Sequence, residues 1–83
     1  MWIITKYNSL ETEAEWKLPG SLSESEIEQI LQRLVCADLS PSEIINASRR
    51  RDDPLRASFL DRVGEGSPIS YGDNPHYVAK RTA

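Results

Sequence analysis

The sequence predicts an α+β domain: a small antiparallel sheet covered on one face by three consecutive helices, the sheet built from an N-terminal hairpin plus one or two C-terminal strands. Three observations carry this expectation. Residues 1–7 are rich in β-favouring side chains, and residues 13–18 alternate strictly. Two segments, Leu22-Ser23-Glu24-Ser25-Glu26-Ile27 and Leu39-Ser40-Pro41-Ser42-Glu43-Ile44, share the form of a helix start. Near the C-terminus, β-type residues flank a strong turn signal, Gly72-Asp73-Asn74-Pro75.

Residues 1–7 read as a strand, because Trp2, Ile3, Ile4, Thr5 and Tyr7 all suit a pleated surface. Residues 13–18 alternate: Ala14, Trp16 and Leu18 fall on one side, Glu13, Glu15 and Lys17 on the other. That is a strand with one wet face, and Trp16 is assigned to the core. Pro19-Gly20 closes the hairpin region.

Each helix start has a serine at N-cap and a glutamate three residues later. The serine oxygen accepts from the N3 amide while the glutamate reaches back to the cap amide. Leu22 with Ile27, and Leu39 with Ile44, occupy the positions of a hydrophobic staple. Pro41 sits at N1, where a missing N–H costs nothing. The first helix then runs from Glu24 to Cys36, with Ile27, Ile30, Leu31, Leu34 and Val35 on one stripe. The second starts at Pro41 and weakens near Arg51. A third is expected over residues 54–63, with Pro54 at N1, a stripe of Leu55, Phe59, Leu60 and Val63, and Gly64 as terminator. Arg56 lies inside that stripe. Two short strands, Ile69-Ser70-Tyr71 and His76 to Lys80, complete the set.

A chain of 83 residues makes one domain, residues 1–83, with a thin core and little room for an enclosed pocket. One cysteine, Cys36, forms no internal disulfide, no signal peptide is visible, and no apolar run approaches a membrane span. The expectation is a cytoplasmic protein without membrane contact. The net charge of −3 is uneven: residues 1–40 are acidic, with Lys6, Lys17 and Arg33 the only bases, and residues 41–83 are slightly basic.

Catalytic and metal chemistry find little support. Cys36, Asp73 and His76 are too few and too scattered for a metal site, and Glu24, Glu26 and Glu28 lie where a helix dipole keeps carboxylates ionised. No catalytic, cofactor-binding or metal-binding residue is assigned, and no cofactor is expected. The function read from the sequence is a non-catalytic protein–protein interaction module: an adaptor, regulator or inhibitor. Its candidate surface is aromatic, formed by Trp2, Tyr7, Tyr71 and Tyr77 on the strands. Its partner is another protein, met through the acidic first half.

The competing reading is a DNA-binding regulator of helix-turn-helix or winged-helix type that reads the major groove through residues 54–63. Arg49, Arg50, Arg51, Arg56, Ser58 and Arg62 would then meet phosphates or bases, with the turn at residues 72–75 as a wing. A structural reading of the arginine run competes with this: three cations ending one helix and Asp52-Asp53 opening the next satisfy both dipoles.

Overall fold

The computed structural model describes residues 1–73 and 75–82. Asn74 of the predicted turn and Ala83 lie outside the described residues. Among the described residues there are four strands and two α-helices: β1 (Trp2–Asn8), β2 (Glu11–Leu18), α1 (Glu24–Ala37), α2 (Pro41–Ala47), β3 (Ile69–Gly72) and β4 (His76–Arg81). The sheet order is β2-β1-β4-β3, and every neighbouring pair is antiparallel.

The register sorts the side chains. Ile4 lies opposite both Trp16 and Ala79, Trp2 opposite Leu18 and Arg81, and Ile69 opposite Ala79. All of these therefore share one face, with Lys6, Tyr71 and Tyr77. The other face carries Ile3, Thr5, Tyr7, Val78 and His76. Near the β1–β2 turn Lys6 faces Ala14 while Tyr7 faces Thr12, so Glu13 is a bulged extra residue. The bulge turns Glu13 toward Lys6, and the two form an ion pair at 3.4 Å.

Both helix starts form as their sequences dictate. Ser23 and Ser40 accept from the amides of Glu26 and Glu43, and both glutamates return the bond to the cap amide. In α1, Ile27 and Leu31 are fully buried and Val35 nearly so. They join Trp2, Ile4, Ile69, Tyr71, Tyr77 and Ala79 in one core, with α1 seated over β4 and β3. The indole N–H of Trp2 donates to the Leu22 carbonyl at 2.9 Å and ties the β2–α1 connection to the sheet. At the far end Asp38, the C-cap of α1, accepts from the Tyr77 hydroxyl.

The expected three-helix cover is corrected to one. The second helix stops at Ala47 rather than near Arg51, and no residue of α2 enters the core cluster. Ser48 bonds back to the Ile44 carbonyl through its hydroxyl at 2.7 Å, and its amide closes the last turn.

The third helix does not form. Residues 54–63 are a succession of turns. The Asp53 carboxylate accepts from the Leu55 amide at 2.8 Å, making a local turn of the type that Asp offers in place of helix. Arg56 then grips the Asp61 carboxylate with both terminal nitrogens, and its Nε donates to the Arg49 carbonyl at 3.1 Å. The apolar stripe had no surface to bury against: Leu55 is 65% exposed and Val63 58%, while Leu60 alone of the four reaches the core. A ten-residue helix without tertiary support is marginal in water. The dipole account of the arginine run falls with it, because Arg49 lies beyond the end of α2 and pairs with Asp53 at 3.2 Å.

Candidate functional site

The predicted aromatic surface is largely the core. Trp2, Tyr71 and Tyr77 are 3–4% exposed and point under α1. Tyr7 lies on the opposite face, stacked on His76 with ring centroids 5.1 Å apart. The four residues therefore form no common surface. Phe59, placed on the apolar stripe of the expected third helix, and Trp16, assigned to the core, are 38% and 41% exposed.

The candidate nucleic-acid residues are also dispersed. Without a helix over residues 54–63 the tri-helical core and its recognition element are absent, and the predicted wing is the β3–β4 hairpin inside the sheet. Arg56 is committed to Asp61, and Arg49 to Asp53 and Asn46. Arg62 donates to Glu28 at 2.7 Å and also reaches Glu24 and the Gly66 carbonyl. Arg50, Arg51 and Ser58 are exposed.

Cys36 and His76 lie on opposite sides of the sheet, since α1 covers the face that His76 turns away from. Among the described residues no three His, Cys, Asp or Glu side chains converge to hold a metal ion. A cleft of about 140 Å³ beside the end of α1 brings Asp38, Glu43 and Asp73 over an apolar floor of Val35, Leu39 and Phe59. Two of those carboxylates are already engaged: Asp38 holds Tyr77 and Glu43 closes the α2 cap. Burial raises Tyr77 above the ordinary tyrosine value, and the Asp38 bond adds to the rise. Lys6 stands over the Tyr77 ring and near Asp38. Burial opposes its charge, but Tyr77, Asp38 and Glu13 outweigh it and raise its pKa. The group is a clamp between helix end and sheet.

The surface without an internal occupant is at the other side of the helix. Four strands at about 4.8 Å spacing span about 14 Å between outer axes, and one helix is about 10–12 Å across. Seated over β4 and β3, α1 cannot also roof β2. A groove of about 190 Å³ follows, floored by Ile4 and lined by Trp16, Leu18, Ile30 and Leu34. Every side chain in it is apolar. Trp16 belongs to the covered face of the sheet by register, opposite fully buried Ile4, yet stands two-fifths in water. Acidic residues flank it along the strand at Glu11, Glu13 and Glu15.

Sequence reasoning missed Trp16, Leu18, Ile30 and Leu34 as a site because each satisfies a core pattern. The available signal was one of area: a single well-formed amphipathic helix faces a sheet of four strands. Among the described residues no helix is long and apolar enough to cross a membrane. No protein-family model matches the sequence, no curated protein is similar enough to count as a match, and no solved structure matches the fold.

Proposed function

We propose that this protein is a non-catalytic protein-interaction module, an adaptor, regulator or inhibitor, and that it binds through the groove between α1 and β2. One observation carries the reading: a tryptophan on the helix-covered side of the sheet stays 41% exposed above a wholly apolar groove. A tryptophan in such a position loses much apolar surface to water, and covering it is worth a large share of an interface's energy. The acidic run of β2 suits a partner segment with apolar anchors and basic flanks.

Affinity capture from the native cell, with nuclease present, tests this. The wild type and Thr5→Lys, which lies on the opposite face, should retain the same partner. Trp16→Lys and Leu34→Lys, each checked for folding by circular dichroism, should lose it. Retention of the partner by both groove variants, or loss of all capture on nuclease treatment, would overturn the reading.

A further inference from the structure

Among the described residues the outer edge of β2 is bare: β2 pairs with β1 and with no other strand. Its side chains identify what fits there. We propose that a second copy of this chain pairs with it, β2 against β2, about a two-fold axis through Trp16.

Register and charge select this pairing. In a two-fold antiparallel pairing, residue pairs are symmetric about the residue on the axis. With Trp16 on the axis, Glu15 of one copy faces Lys17 of the other, twice over. On the groove side Trp16 meets its own copy and Ala14 faces Leu18, small against large. Neighbouring choices fail on charge. An axis through Glu15 or Lys17 sets that residue against itself, and an axis through Ala14 sets Glu13 against Glu15. An axis through Leu18 brings Pro19, which has no N–H to donate, into the ladder. The Glu13 bulge and Pro19 confine the pairing to residues 14–18. Like charges directly opposite destabilise a strand pair and opposite charges support it, so one register alone is favoured. Edges are kept single by charges, bulges or proline, and in β2 the bulge and Pro19 stand at the two ends and leave residues 14–18 between them free. Within that stretch the two charges on the open face, Glu15 and Lys17, are opposite in sign and complement their own image.

Pairing through the edge sets the two Trp16 side chains side by side at the rim of the groove and leaves the Ile30 and Leu34 wall uncovered. The two grooves then adjoin across the axis, so self-association and partner binding remain separately measurable.

Sedimentation equilibrium on the full chain up to about 1 mM, with charge variants, decides the proposal. The wild type should form a dimer. Glu15→Lys alone and Lys17→Glu alone each place two like-charge pairs across the axis and should weaken it about tenfold. Mixing those two single variants makes every facing pair opposite in sign, and the mixed dimer should recover wild-type affinity. So should the double variant Glu15→Lys with Lys17→Glu. A wild type that stays monomeric throughout would overturn the proposal. So would a dimer indifferent to both single reversals, or single variants that do not rescue each other.

Discussion

At the β3 edge the chain supplies its own cover, whereas at the β2 edge the described residues supply none. Val63 donates to the Ser70 carbonyl at 2.8 Å and Arg62 bridges to Tyr71, so residues 62–63 act as a short fifth line of the sheet. Arg62 then reaches over to Glu28 and Glu24, and Gln32 holds the Leu60 carbonyl at 3.0 Å, which fastens the cover to α1. Nothing comparable crosses β2 among the described residues. The long segment after α2 is spent on one edge, and the helix leans the same way. The comparison teaches that the fold's economy is one-sided: cohesion is concentrated over β4 and β3, and binding capacity is left over β2.

The largest expected effect separates two leucines of one helix. Leu31 is fully buried over the covered half, so Leu31→Ala should destabilise by about 2–5 kcal/mol. Leu34 forms a wall of the groove, and Leu34→Ala should cost about 1 kcal/mol, in keeping with a side chain only partly removed from water. Chemical denaturation measures both. Equal losses would mean that the groove is packed as tightly as the core, and the comparison would fail.

The difference between the two leucines also marks how far the sequence could be read. Ser23 with Glu26 and Ser40 with Glu43 were legible because a capping box is closed within four residues. The alternation of β2 correctly told which side Trp16 faces. It could not tell whether a helix would arrive there, because that depends on where α1 sits across four strands. Residues 54–63 misread for the same reason at shorter range. Their stripe is a helical pattern, but Arg56 within it was the discordant residue, and its Asp61 and Arg49 contacts are what hold the segment in turns. The aromatic residues misread differently: Trp2, Tyr7, Tyr71 and Tyr77 are grouped by lying on strands, and only the strand register and the seat of α1 put three of them in the core and Tyr7 on the other face.

A smaller effect tests the covered edge directly. Arg62→Gln removes the ion pairs to Glu28 and Glu24. Their side chains are partly exposed, so solvent screening limits the loss to about 1 kcal/mol or less. The local consequence should exceed the global one: the Val63 amide, bonded to Ser70, should exchange with deuterium markedly faster than in the wild type. Glu15→Gln on the bare edge should leave monomer stability within about 0.5 kcal/mol. Unchanged Val63 protection would show that the cover holds without its arginine.

Alkali should find the same asymmetry. Burial raises Tyr71 and Tyr77 above the ordinary tyrosine value, and Asp38 further raises Tyr77. Both belong to β3 and β4, and β2 has no tyrosine. The sign follows from linkage: above the ordinary value near 10 the unfolded chain gives up these protons first, so the folded state holds more of them. Stability is then full below about pH 10 and declines as pH rises toward the raised values. Denaturation at stepped pH should show this decline, and Tyr77→Phe should reduce it.

The gentlest test changes no stability at all and reads the two halves by their tryptophans. Trp2 is 4% exposed beneath α1 and Trp16 is 41% exposed in the groove. A polar quencher such as iodide reaches only an indole that water reaches. The wild type should therefore quench in two classes, and Trp16→Phe should leave only the protected one. The comparison sharpens when a partner is added, because an occupant of the groove shields Trp16 and leaves Trp2 as it was. Pairing at the β2 edge shields Trp16 against its own copy as well, and that shielding grows with protein concentration and needs about tenfold more protein in Lys17→Glu. Partner binding through the groove persists in that variant. If Trp16 is as protected as Trp2 in the dilute monomer, the helix layer reaches β2 after all, and neither the groove nor the free edge has the character argued for it.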